Sequence, residues 1–126
     1  MNRERTGRQV YEALLHAQNS AHKHVYVFAS HSHFFMEDVF RTDTWKGKVL
    51  PGWIVGTAGA VRYPLPPGVR PGSKTLTNVY GFMVATVRLD GSISTSFQQL
   101  GLDDMLRSKP DVPESLVRWC YDQNKQ

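Results

Sequence analysis

The sequence predicts a single domain, residues 1–126, of mixed α/β or α+β class, and three local patterns carry this prediction. Apolar residues recur at helical spacing near the amino terminus, which favours an amphipathic helix. The apolar run 25–29 follows, and its β-branched and aromatic side chains are typical of a buried strand. Two β-like segments, 79–89 and 92–100, flank Asp90-Gly91, a strong hairpin signal. The second half of the chain is therefore expected to be rich in β-structure.

The first elements follow from residue periodicity. Residues 6–21 are predicted to form a helix with Thr6 as its N-cap. The apolar stripe of this helix consists of Val10, Leu14, Ala17 and Ala21. The run 25–29 is apolar on both faces, so we expect a central strand that is covered from both sides. Residues 34–50 are expected to form a loop or an irregular segment.

The remaining elements are bounded by glycine and proline. Residues 52–63 predict a long strand that is interrupted by glycines, and the Pro/Gly-dense stretch 65–72 predicts a rigid loop. The hairpin around Asp90-Gly91 comes next and is expected in the same sheet or in a facing one. Residues 102–107 predict a short helix, and residues 113–121 a terminal helix with proline near its first turn.

Composition excludes several classes of protein. The formal net charge is +4 and the pI is near 9.4, which would suit an anionic ligand. The basic residues are scattered, whereas a nucleic-acid interface needs them clustered with aromatics, so we do not expect a nucleic-acid partner. The single cysteine, Cys120, excludes an intrachain disulfide. This sequence contains no recognisable signal peptide or membrane span. Its localisation therefore stays open, and we expect no membrane partner.

A His-x-His pair is the most informative local feature. His31 and His33 directly follow the apolar run, and residues two apart on a strand share one face. Two imidazoles at a strand end can then face one cleft, expected near the segment 56–59, and imidazole is the commonest metal ligand. The alternative is a polar strand end with exposed histidines. His22 and His24, at the other end of the run, are expected to be solvated.

The chain resembles the carboxyl-terminal third of calcineurin-like metallophosphoesterases. The resemblance extends from about Gly7 to Asn124 and depends on the motif Ser30-His31-Ser32-His33 and on the Gly-x-x-Gly segment that starts at Gly56. The hairpin near the end of the chain adds to it. The family usually has glycine where Ser30 stands. The resemblance implies part of a β-sandwich with flanking helices, and a phosphate-ester substrate.

The resemblance also implies a site with two divalent metal ions, either manganese, iron or zinc. His31 would bind one ion and His33 the other. The family's four preceding ligand blocks are absent, since Glu4 and Glu12 are the only acidic residues before His31. We therefore expect no catalytic residue set and no activity in this chain alone. It could be a truncated product, half of a split enzyme completed by a polypeptide with the missing amino-terminal blocks, or a decayed relative.

Each of the other candidate site residues has two interpretations. Arg62 and Tyr63 could contact an anionic substrate, or they could be a surface arginine and a packed tyrosine. Glu37 and Asp38 could hydrogen-bond the imidazoles from behind the metal, or simply be solvated. At the level of function, the alternative to a phosphoesterase part is a non-catalytic module that binds a protein or a phosphate-bearing ligand.

Overall fold

The computed structural model describes residues 3–70, 72, 74–108 and 111–126 of the chain. The described part contains both helices and β-sheets, which confirms the predicted α+β class. In chain order, its elements are α1 (Arg3–Ala21), β1 (Val27–Ala29), β2 (Phe35–Glu37), a 3₁₀ turn (Asp43–Trp45), β3 (Gly52–Val55), β4 (Thr75–Leu76), β5 (Tyr80–Val87), β6 (Ile93–Leu100), α2 (Leu102–Ser108) and α3 (Glu114–Gln123).

Helix α1 buries a different face from the predicted one. Val10 is 57% exposed, whereas Tyr11 and Leu15 are buried. The Tyr11 ring packs against Trp45 and Phe40, with ring centroids 4.0 and 4.6 Å apart. The predicted stripe of aliphatic residues therefore gives the wrong buried face for α1, because the aromatic partners of Tyr11 come from a loop that is distant in sequence. Thr6 lies inside the helix, which begins at Arg3, so the predicted N-cap is also wrong.

The first sheet has the strand order β1-β3-β2-β4. Strand β1 runs parallel to β3, and β2 runs antiparallel to both β3 and β4. Strand β1 thus lies at an edge of this sheet, where a central strand was expected. Strand β2 lies in the region predicted to be a loop. Its three residues have too little pattern to be recognised, and it is stabilised by pairing with a neighbour on each side.

Strand β3 ends at Val55, well before the predicted end at residue 63. A Cβ added at Gly56 would lie 2.1 Å from the carbonyl oxygen of Ser32. Glycine allows this close backbone approach, and the strand ends there. The chain then turns towards the second sheet, where the buried Thr57 hydroxyl donates to the Gly81 carbonyl at 2.7 Å.

The predicted hairpin is confirmed and forms a second, two-stranded sheet. Strands β5 and β6 pair in register from Tyr80 with Leu100 to Val87 with Ile93. The N–H of Arg88 donates to the carbonyl of Ser92 at 2.8 Å. The loop therefore has three residues and ends at Gly91, whose φ is +81°. The N–H of Gly91 donates to the Arg88 carbonyl at 2.9 Å, so a four-residue turn is followed directly by the closing pair of the hairpin, with its left-handed residue at Gly91.

The two sheets pack face to face between helices. On the inner side, the rings of Phe35 and Phe97 stack with centroids 4.3 Å apart. Helix α1 packs on the other face of the first sheet through a cluster that includes Val27. Helices α2 and α3 lie over the Tyr80 end of the outer face of the hairpin, where Tyr121 contacts Tyr80 edge to face, whereas Phe82 and Val84 on that face stay about half exposed. The order of layers is helix, sheet, sheet, helix.

The two carboxyl-terminal helices agree with their predicted positions. Helix α2 spans Leu102–Ser108, and α3 spans Glu114–Gln123 with Pro113 as its N-cap. Within the described ranges, no helix is both long enough and apolar enough to cross a bilayer.

Candidate functional site

His31 and His33 lie in a bend between β1 and β2. The extended backbone of β1 ends at Ala29, and residues 31–34 form the bend. The N–H of Phe34 donates to the carbonyl of Ser32 at 2.9 Å, which closes a tight turn around His33. The alternation of side chains along a strand therefore does not set the directions of the two imidazoles, which depend on the bend.

The bend packs directly against the end of β3. The Cβ position of Gly56 lies 2.1 Å from Ser32 O and 3.3 Å from the Cα of His33. The histidine segment is thus adjacent to the glycine-containing segment, as expected from the sequence. A side chain at position 56 would displace the backbone that carries both histidines.

His33 is half-buried and held by three contacts. Its Nδ1 lies 2.8 Å from the carbonyl oxygen of Val61. The Tyr63 ring packs on the imidazole with centroids 4.2 Å apart, and the Tyr63 N–H donates to the His33 carbonyl at 3.0 Å. Because a carbonyl only accepts, Nδ1 must carry the proton, and in the neutral ring Nε2 keeps its lone pair. Histidines that bind metals are commonly oriented in this way.

His31 differs from His33 in exposure and backbone. It is exposed, and its φ of +76° lies in the left-handed region. Few residues other than glycine adopt this conformation, although histidine does so more often than most. Because the residue is exposed, its imidazole is accessible to a ligand from solvent.

The two residues predicted to contact substrate are separated by the fold. Tyr63 lies against His33, whereas Arg62 is 4% exposed and turned into the protein. The guanidinium of Arg62 donates to the carbonyls of Asn124, Asn78 and Tyr121. It is thus neither the surface arginine nor the phosphate contact that the sequence suggests. Its hydrogen bonds hold the end of α3 against the core.

Glu37 and Asp38 lie at the far end of β2 from the bend. In the antiparallel register, Phe35 pairs with Val55 near the bend, and Glu37 pairs with Trp53 further away. The ammonium group of Lys74 lies 2.6 Å from the Asp38 carboxylate and 4.0 Å from that of Glu37. The hydrogen bond to Asp38 raises the pKa of Lys74. These carboxylates therefore pair with a lysine and do not orient the imidazoles.

The donor set fits part of a metal site. Imidazole nitrogen suits zinc, iron and related divalent ions, and His33 has the required tautomer. Across residues 3–70, 72, 74–108 and 111–126, no group of three His, Cys, Asp or Glu side chains is arranged to hold a metal ion. A catalytic zinc needs about three protein ligands. The two histidines could therefore contribute to a centre, but further ligands must come from elsewhere.

An apolar cavity of about 590 Å³ lies apart from the histidines, between the hairpin and helices α2 and α3. This cavity does not follow from the sequence pattern, because its shape depends on how the terminal helices pack. The sequence signal that could have indicated the cavity is the set of apolar side chains on the hairpin and on helices α2 and α3. They include Phe82, Leu100, Met105, Leu116 and Val117.

Comparisons with known protein families, with curated proteins and with solved structures find no match to this chain. Function is therefore inferred from the geometry of the histidine bend and from the sequence pattern around it.

Proposed function

We propose that the chain is the carboxyl-terminal part of a calcineurin-like metallophosphoesterase domain, in which His31 and His33 are metal ligands. The hydrogen bond from His33 Nδ1 to the Val61 carbonyl carries this proposal, because it leaves Nε2 with a lone pair for a metal ion. The order of layers, helix–sheet–sheet–helix, also agrees with the sandwich that the resemblance implies. The ions would be manganese, iron or zinc, and the substrate a phosphate ester.

Each histidine has a separate task in this proposal. His33 offers a pre-oriented Nε2, since its ring is held by Val61 and Tyr63. His31 offers an exposed imidazole on the same bend. Bound divalent ions would polarise the phosphoryl group and lower the pKa of a coordinated water. The carboxylate ligands that such a centre requires would come from a polypeptide segment outside the described residues.

Metal binding to the chain tests the proposal most directly. Isothermal titration with Zn²⁺ and Mn²⁺ should detect weak binding that is lost in the double variant His31→Ala, His33→Ala. The matched control is His22→Ala, His24→Ala, which removes two histidines of the same spacing from the opposite end of β1. The control should bind as the parent chain does. Equal binding by both double variants would contradict the assignment of the ligands.

A phosphatase assay tests the dependence on further ligands. With bis(p-nitrophenyl) phosphate and added Mn²⁺, the chain by itself should show no substantial turnover, because two imidazoles cannot hold two ions. Strong metal-dependent hydrolysis that disappears on His31→Ala would show that the chain is a complete enzyme. That result would contradict the need for a second segment.

A second function, a non-catalytic module that binds another protein, is favoured by one observation. Strand β1 lies at the edge of its sheet, and Phe28 on this strand is 48% exposed. Exposed apolar edges are common sites of strand addition. A folded chain that binds neither Zn²⁺ nor Mn²⁺ in the titration would favour this second function over the first.

A further inference from the structure

We infer that Arg62, together with residues 124–126, positions the imidazole of His33 by holding the Val61 carbonyl in place. The inference rests on the proposed function only in that His33 is the proposed metal ligand. Arg62 is a positioning residue here, because it acts on His33 through the backbone and does not itself contact a metal ion or a substrate.

The peptide group between Val61 and Arg62 is held from both sides. Its carbonyl oxygen lies 2.8 Å from His33 Nδ1, and its N–H donates to the carbonyl of Asn124 at 3.1 Å. In a planar trans peptide, the C=O and N–H groups point in opposite directions. The plane therefore bridges His33 on one side and the segment that follows α3 on the other. A rotation that released Asn124 would also turn the carbonyl away from His33.

The Arg62 side chain strengthens the same connection. Its Nε donates to the Asn124 carbonyl at 3.1 Å, and a terminal nitrogen donates to the carbonyl of Tyr121. These carbonyls belong to the last turn of α3 and to the residue after it. Carbonyls at a helix end lack partners within the helix and carry partial negative charge. Arg62 thus supplies both the donors and the positive charge that this helix end requires.

Aromatic rings and a second backbone bond complete the arrangement. The guanidinium carbon lies 4.8 Å from the ring centroid of Tyr80 and 4.3 Å from that of Tyr121, within the range of cation–π attraction. The N–H of Gln126 donates to the carbonyl of Arg62 at 3.0 Å. The end of the chain is therefore paired with Arg62 through both backbone and side chain. Tyr63, the next residue, continues the connection to His33.

Loss of the guanidinium should release this connection. Without it, the carbonyls of Tyr121 and Asn124 lose a charged donor, and only the backbone bonds between Arg62 and residues 124 and 126 still hold the outer side of the peptide of Val61 and Arg62. The His33 ring would then no longer face a fixed acceptor at Nδ1, and the Nε2–H tautomer would become populated. In that tautomer the lone pair lies on Nδ1, which is the wrong nitrogen for the proposed metal contact.

Imidazole ¹⁵N spectra of the full chain without metal provide the test. The parent chain should show the Nδ1–H tautomer at His33, and Arg62→Ala should show a mixture. Arg62→Lys should restore the Nδ1–H tautomer only in part, because one ammonium group cannot reproduce the three hydrogen bonds that the guanidinium donates to backbone carbonyls. The matched control is Arg118→Ala on the exposed side of α3, where Arg118 pairs with Glu114; it should leave the tautomer unchanged. An unchanged tautomer in folded Arg62→Ala would overturn the inference.

Hydrogen exchange in the parent chain keeps the test independent of whether the variant folds. If the connection opens as a unit, the amide protons of Arg62, Tyr63 and Gln126 should exchange with similar protection. Rapid exchange at Arg62 and Gln126 beside a protected Tyr63 would overturn the inference.

Zinc titration separates this inference from the proposed function. Arg62→Ala should lower Zn²⁺ affinity by the factor by which the Nδ1–H fraction of His33 falls, and by less than the roughly 10–100-fold typical when the hydrogen-bond partner of a metal-binding histidine is itself removed. If the parent chain binds no metal while the tautomer still responds to Arg62→Ala, the proposed function fails and the positioning role stands. If the parent binds metal through His33 and Arg62→Ala changes neither affinity nor tautomer, the positioning role fails.

Discussion

The Tyr11 hydroxyl accepts a hydrogen bond from the backbone N–H of Leu50 at 2.8 Å and donates to the Lys48 carbonyl at 3.0 Å. Leu50 is completely buried. One side chain of α1 thus satisfies two backbone groups of a segment that follows the 3₁₀ turn, almost forty residues later in the chain. Helix α1 is held against the first sheet by this polar contact and by the aromatic rings around it.

Tyr11→Phe should therefore lower the free energy of unfolding by about 1–3 kcal/mol, because it leaves a buried N–H without this acceptor. Urea denaturation measures the change. The control is Val10→Ala, a neighbouring residue on the exposed side of α1, which should stay within about 0.5 kcal/mol of the parent. Equal stability of Tyr11→Phe and the parent would contradict the role of the hydroxyl.

Gly56→Ala should distort the histidine bend. The added Cβ would lie 2.1 Å from the Ser32 carbonyl oxygen, so the backbone must move. We expect a loss of about 1–3 kcal/mol in unfolding free energy and altered imidazole signals of His31 and His33 by NMR. Gly7→Ala is the control: among the described residues, and apart from the chain neighbours and helix backbone of Gly7 itself, no atom lies within 4 Å of its added Cβ. Within α1 it should stabilise the chain by up to about 1 kcal/mol. Unchanged imidazole signals in Gly56→Ala would contradict the prediction.

The Phe35–Phe97 stack should couple the two sheets energetically. In a double-mutant cycle with Phe35→Leu and Phe97→Leu, we expect a coupling of about 0.5–1.5 kcal/mol, the usual range for aromatic pairs. Phe82 lies on the opposite face of the hairpin and serves as the control in a cycle of Phe35→Leu with Phe82→Leu. A coupling with Phe82 as large as that with Phe97 would show that the sheets do not pack through this stack.

The hairpin loop should weaken in acid. Hydrogen bonds from Ser92 hold the pKa of the exposed Asp90 carboxyl below its ordinary value of 3.8. A carboxyl whose pKa is lower in the folded state stabilises the fold above its unfolded pKa, and this contribution is lost as the pH falls through the folded value. We expect a small loss of hairpin stability below about pH 4.

Asp90→Asn is the matched variant for this loss, since it keeps an oxygen acceptor for the Ser92 N–H but does not titrate. The free energy of unfolding should fall less steeply below about pH 4 in Asp90→Asn than in the parent. An NMR titration that places the pKa of Asp90 at or above its ordinary value would contradict the prediction.

Local pattern was sufficient for those parts of the fold whose residues are close together in sequence. The helix near the amino terminus, the two carboxyl-terminal helices and the hairpin around Asp90-Gly91 all follow from periodicity, proline and turn residues, although the predicted N-cap at Thr6 is wrong. These elements depend on interactions within one helix or between adjacent strands, so a short window of sequence contains their cause. The sequence also offers His31 and His33 as candidate metal ligands, and this stays a prediction.

The features that depend on contacts between residues far apart in sequence were decided only by the tertiary structure. Tyr11 defines the buried face of α1 because its partners lie near residue 48. Pairing with β3 and β4 makes a strand of Phe35–Glu37, and the close approach of Gly56 to Ser32 ends β3 at Val55. The burial of Arg62 and the tautomer of His33 depend on carbonyls brought from α3 and from Val61. A sequence window contains none of these partners, and the energy that orients each side chain comes from contacts that exist only once the chain has folded.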